Sequence, residues 1–170
     1  DQNIMTTLVK IQRKGQMTLP SRLRSAIGIV VLNGCTAILW HQGESDSLVG
    51  TSASDYSDFL LRIIEESRKD AGWDIPWGVA SASFHPDPEA SVERQAAVRS
   101  GQKAVTLALS NVFSGPDTDG YYEKGYLAAD NVHFNEAGLA AHAECWAGCL
   151  HNYFSLMSSK TKKPTRNAFT

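Results

Sequence analysis

Apolar runs and amphipathic stripes alternate along most of this chain. Val30-Val31-Leu32 and Thr36-Ala37-Ile38-Leu39-Trp40 are nearly unbroken apolar runs, as strands buried on both faces of a parallel sheet require. Over residues 53–71, Tyr56, Phe59, Leu60, Ile63 and Ile64 recur at helical spacing, and Gly72 supplies a stop. Pro76 to Ala80 reads as the next strand, residues 91–102 as a polar helix and Val105 to Leu109 as a further strand. Residues 114–129, rich in Gly, Asp and Tyr, read as a long loop. Asn135 then caps a helix from Glu136 to about Phe154, with Leu139, Trp146, Leu150 and Tyr153 inward. Strands alternating with helices predict an α/β fold with a parallel sheet and flanking helices.

The first thirty residues follow a different pattern. Leu8 to Gln12 and Met17 to Leu19 alternate apolar and polar about a Gly15-Gln16 turn. Pro20 opens a short helix from Ser21 to Ile27 that Gly28 ends. The expectation is an N-terminal β-hairpin plus short helix over 1–29, an α/β domain over 30–154 and a disordered basic tail over 155–170.

Charge sharpens that division. The chain has 170 residues and a formal net charge of −2. Residues 1–29 carry five Lys/Arg against Asp1, residues 30–154 seven basic against seventeen acidic groups, and residues 155–170 four basic groups and no acid. A basic head and tail flank an acidic body, which suggests separate jobs for the parts. No apolar run reaches the roughly 18 residues a membrane helix needs, and no basic-then-apolar leader opens the chain. Cys35, Cys145 and Cys149 form no CxxC, so buried small hydrophobes in a reducing, cytoplasmic setting are expected, with no metal site.

Two short segments carry candidate chemistry. Asp130 and His133 stand three apart just before the last helix. A carboxylate there can accept the Nδ1 proton and leave Nε2 as a base. The bland alternative is a solvated turn. His41-Gln42-Gly43-Glu44-Ser45 follows a buried strand, where Glu44 is a second acid and Gln42 and Gly43 could line an oxyanion site. The bland alternative there is an exposed turn.

Trp40 to Ser45 and Asp130-x-x-His133 together resemble the HQGE and DxxH motifs of SGNH-type carbohydrate acetylesterases. The closest likeness is to carbohydrate esterase family six and the sialate O-acetylesterase-like group, over about residues 32–152. The resemblance implies serine-dependent removal of acetyl groups from sugars, without metal or cofactor. It implies His133 as base, Asp130 or Glu44 as its acid, and Gln42 and Gly43 near the oxyanion. The family's nucleophile motif, GQSN- or GDS-like after the first strand, has no counterpart: Gly15-Gln16-Met17 keeps only its first two residues. An incomplete SGNH-like sheet with weak or no activity is therefore expected.

Residues Thr7 to Ile29 resemble instead the first half of an AbrB/MazE-type swapped-hairpin DNA-binding domain. That likeness implies a dimer gripping DNA phosphates, with Lys10, Arg13, Lys14, Arg22 and Arg24 as contacts. Three readings follow. The chain is an acetylesterase-like domain acting on acetylated carbohydrate, a DNA-binding dimer with a passive body, or a chimera with neither activity. A homo-oligomer that covers exposed sheet edges is expected in each case.

Overall fold

A computed structural model describes residues 37–161, with side chains to Met157. The expected hairpin and helix of 1–29, the strand at 30–32, Cys35 and the DNA-contact candidates Lys10, Arg13, Lys14, Arg22 and Arg24 lie outside the described residues.

Three parallel strands, β1 (Ile38–Trp40), β2 (Trp77–Ser81) and β3 (Val112–Asp117), form a sheet in that order. Four helices accompany them: α1 (Glu44–Val49), α2 (Ala53–Ala71), α3 (Val92–Ala108) and α4 (Glu136–Thr161). The parallel α/β architecture with flanking helices is thus as the sequence predicts.

Alternation along the strands divides the core. Trp77 and Val79 point to one face and meet Tyr56, Leu60 and Ile64 of α2 and Val98 and Val105 of α3. On the other face, Gly78 and Gly115 leave a slot filled by Trp146 of α4. A Cβ on Gly78 would lie 2.7 Å from that indole, and one on Gly115 would lie 2.3 Å from it. Phe113 stacks on Tyr153 beside the slot, with ring centroids 4.4 Å apart.

Helix α2 forms where its stripe predicts. The Ser52 hydroxyl accepts from the Asp55 amide, and Gly72 ends the helix at φ 72°. Arg68 and Lys69 sit at its negative end. The buried stripe is narrower than expected, since Phe59 and Ile63 face outward at 60% and 40% exposure.

Several expectations are corrected. Val105 to Ala108 is the last turn of α3 and Leu109 its C-cap, not a strand. The stripe Val98, Gly101, Gln102, Val105 continues at helical spacing, and Leu107 points outward, which a strand buried on both faces forbids. The strand lies instead at Val112–Asp117, within what reads as loop. Its Gly115-Pro116 is tolerated because β3 is an edge strand among the described residues. Glu44 and Ser45 belong to α1 rather than to a loop. Helix α4 runs on to Thr161, past the expected start of the tail. Its Leu139 is half exposed, and Cys145 is exposed rather than buried. No helix among the described residues is long and apolar enough to cross a membrane.

Candidate active site

Because all three strands are parallel, their C-terminal ends share one edge of the sheet, where α/β folds gather their chemistry. His41 leaves β1 there, Ala82 leaves β2 and Thr118 leaves β3.

The His41–Gly43 turn is held by long-range contacts. Tyr56 of α2 donates its hydroxyl proton to the Gln42 carbonyl at 2.7 Å. Burial pushes that hydroxyl up to about 12, so it remains a donor at any ordinary pH. Gln102 of α3, itself buried, accepts from the Ala82 amide at 3.1 Å. Its Nε2 donates to the carbonyls of Ala82 (2.7 Å) and Gln42 (3.1 Å). One amide thus ties the ends of β1 and β2 together. Gly43 must be glycine, since a Cβ there would stand 1.9 Å from the Ala82 carbonyl oxygen.

Glu44 opens α1. One of its oxygens accepts the Gly43 amide at 3.0 Å, and the other lies 3.7 Å from His41 Nδ1. The Gln42 side-chain amide donates to Asp46. Glu44 is therefore partnered with His41, not with His133. Both proposed oxyanion donors, Gln42 and Gly43, are engaged by carboxylates of α1. The other nitrogen of His41 shares a hydrogen bond with Thr118 Oγ1 at 3.0 Å, bridging β1 to the start of the long loop.

The structure brings Asp130 and His133 together. Asp130 Oδ2 lies 2.6 Å from His133 Nδ1, while Oδ1 accepts the amides of Val132 and His133, each at 3.0 Å. The bond to His133 and these two amides hold the Asp130 carboxyl well below the usual carboxylate range. The pair is open to solvent. Among the described residues no hydroxyl is hydrogen-bonded to His133.

Asn135 fixes the turn that carries His133. Its side-chain oxygen caps α4 through the Gly138 amide at 2.9 Å, as the sequence predicts. Its side-chain nitrogen donates to the carbonyls of Gly125 (2.8 Å) and Leu127 (3.0 Å). Next to His133, Phe134 turns inward onto His41, Tyr121 and His142, with centroids 5.4, 5.2 and 4.9 Å away.

Sequence reasoning missed Gln102, His142 and the Arg99 cluster. Gln102 left a signal: a lone polar residue within the Val98–Val105 stripe. Arg99 pairs with both oxygens of Asp117 (2.9 and 2.6 Å) and with Asp119 at 2.7 Å. Its hydrogen bonds to Asp117 raise its pKa, and Arg99 lowers that of Asp117. His142 is 2% exposed, and its Nε2 accepts the Trp146 indole proton at 2.9 Å. Burial, then the neighbouring His41, pushes it down to about 4. The unfolded imidazole, near 6.5, takes up protons first as pH falls. Stability from neutral His142 is therefore complete above about pH 6.5 and declines towards about pH 4. The urea midpoint should fall across that window, and less steeply in His142→Gln; equal slopes would exclude this source.

A parallel α/β sheet with an acid-x-x-His turn before its last helix and a Gln-Gly-Glu turn after a strand places the chain among the SGNH-like hydrolase folds. More narrowly, residues 12–150 match the model of the carbohydrate esterase, sialic acid-specific acetylesterase family, and the chain belongs to that family. The matched span begins at Gln12, inside the segment expected to form a separate half-domain. No curated protein and no solved structure matches the chain.

Proposed function

We propose that this chain is a carbohydrate O-acetylesterase in which His133 is the general base and Asp130 its orienting acid. The 2.6 Å contact between Asp130 and His133 Nδ1 carries the reading. A neutral imidazole whose Nδ1 proton is held by a carboxylate presents an unprotonated Nε2 to an incoming hydroxyl. Asp130, kept ionised, also stabilises the imidazolium formed when Nε2 takes that proton. The hydroxyl attacks the acetyl carbonyl. The imidazolium then returns the proton to the departing sugar oxygen, and water releases acetate from the acyl-enzyme by the same base catalysis. In this scheme the nucleophile is a serine hydroxyl that comes within hydrogen-bond reach of His133 Nε2. Gln42 and Gly43 turn their N–H groups from the α1 carboxylates to the developing oxyanion.

Acetate release from an acetylated sugar by the full chain, compared with His133→Ala, tests the proposal. The variant is expected to fall to the uncatalysed background, because no other described side chain is bonded to the Asp130 carboxylate as a base. Equal release by both proteins would sink it.

A further inference from the structure

The C-terminal edge of the sheet holds a hydroxyl that is bonded to an imidazole. Thr118 Oγ1 lies 3.0 Å from His41 Nε2, and the Glu44 carboxylate lies 3.7 Å from His41 Nδ1. Hydroxyl, imidazole and carboxylate thus follow one another in the order that activates a nucleophile. They come from the residue after β3, the residue after β1 and the first residue of α1, so only the fold assembles them. Neither contact involves Asp130 or His133.

A carboxylate beside Nδ1 favours the imidazole proton there, which leaves Nε2 to accept from the hydroxyl. The Ser81 carbonyl also faces Thr118 Oγ1, but at 3.5 Å it is the weaker acceptor. The Thr118 backbone is fixed on both sides: its amide donates to the Ser81 carbonyl and its carbonyl accepts the Tyr121 amide, each at 3.0 Å. The next residue, Asp119, accepts the amides of Ser83 (2.6 Å) and Phe84 (2.9 Å) and so ties this turn to the end of β2. A hydroxyl held this firmly meets an acyl group at a low ordering cost. Phe134 and His142 back the His41 ring, with centroids 5.4 and 4.8 Å away. Burial keeps His142 neutral, so it does not oppose the imidazolium that His41 becomes on taking a proton.

Burial narrows the substrate. Thr118 is 7% exposed, while the side chains of His41 and Glu44 are 19% and 26% exposed. A sugar ring does not reach a hydroxyl covered to that degree, whereas an acetyl group on a slim, easily released alcohol does. The methyl group beside Oγ1 crowds bulkier acyl groups further. The amide after a nucleophile commonly donates to the developing oxyanion. Here that amide, of Asp119, gives up a long 3.3 Å bond to Asp117 to do so.

We infer that Thr118, His41 and Glu44 form a second acyl-transfer site, independent of His133, that takes small acyl groups from activated esters. Thr118 Oγ1 attacks the acyl carbon as its proton passes to His41 Nε2. The ester C–O bond breaks, His41 returns the proton to the departing oxygen, and the acyl group stays on Oγ1 until water removes it as the carboxylic acid. The test uses p-nitrophenyl acetate and the full chain, with an acid quench and peptide mass mapping. A burst of p-nitrophenol and an acetyl group mapped to Thr118 are expected of the wild-type chain, which needs no variant to fold. His41→Ala should slow acetylation of Thr118 at least about a hundredfold, the lower range for loss of a general base. Thr118→Val should abolish it, and Thr118→Ser, which keeps the hydroxyl, should restore an adduct at the same position. His133→Ala should acetylate as fast as wild type, even where its release of acetate from an acetylated sugar is lost. Matching melting curves show that each variant is folded. An adduct only at other residues, no adduct at all, or an unchanged rate in folded His41→Ala would overturn the inference. Loss of the Thr118 adduct in folded His133→Ala would overturn it as well and assign the chemistry to the His133 base. A Thr118 adduct beside sugar deacetylation that is indifferent to His133 would keep this site and remove the His133 reading.

Discussion

Trp146→Ala is expected to destabilise the chain by about 3–5 kcal/mol, the range for emptying a fully buried large aromatic site. Trp146 is 1% exposed and fills the slot over Gly78 and Gly115. The floor of the slot is the backbone of Gly78 and Gly115, which has no side chain to fill it. The indole also donates to His142 Nε2, and its loss leaves that buried nitrogen without a donor. At this chain length each kcal/mol moves the melting temperature by roughly 2–4 °C, so a drop on the order of 10 °C is expected. Trp146→Phe should recover part of it. A melting temperature within about 2 °C of wild type for Trp146→Ala would show that α4 does not brace the sheet in the way described.

Gly43→Ala is expected to be nearly as damaging through overpacking. The added methyl would stand 1.9 Å from the Ala82 carbonyl and 2.6 Å from Gln102 Nε2. The first obstacle is backbone at the end of β2, which cannot rotate away, so either the turn or the strand end must shift. Such strain costs about 1–3 kcal/mol, and a backbone clash belongs at the upper end. It would also pull apart the Gln102 bridge that ties the Gln42 carbonyl to β2. Thermal unfolding and acetate release should therefore fall together. Gly120→Ala, where an added Cβ meets nothing within 4 Å, serves as the control.

Local signals in the sequence carried further than long-range ones. Helix α2 was legible because its stripe, its Ser52 cap and its Gly72 stop agree with one another. The Asp130–His133 pair was legible because a three-residue spacing can close a hydrogen bond without help from the rest of the fold. Val105 to Leu109 misled because its residues favour strands, while the helical register of Val98 and Val105 buries the same segment better. The β3 strand was hidden by Gly115-Pro116, whose small residue exists to admit an indole thirty-one positions later. The partner of Glu44 was equally out of reach, since only folding decides that it faces His41. Residues that join distant segments, such as Gln102 and Asp119, show only their polarity in the sequence.

Asn135 links two events that could have been separate. The same side chain starts the last helix with its oxygen and fastens the preceding loop with its nitrogen. During synthesis the Asp130–His133 bond can form as soon as those residues emerge, since it spans three residues of chain. The Asn135 cap, by contrast, exists only once Gly138 and the first turn of α4 have formed behind it. A chain cut before α4 would thus keep the acid–base pair and lose the cap that holds its turn to the last helix.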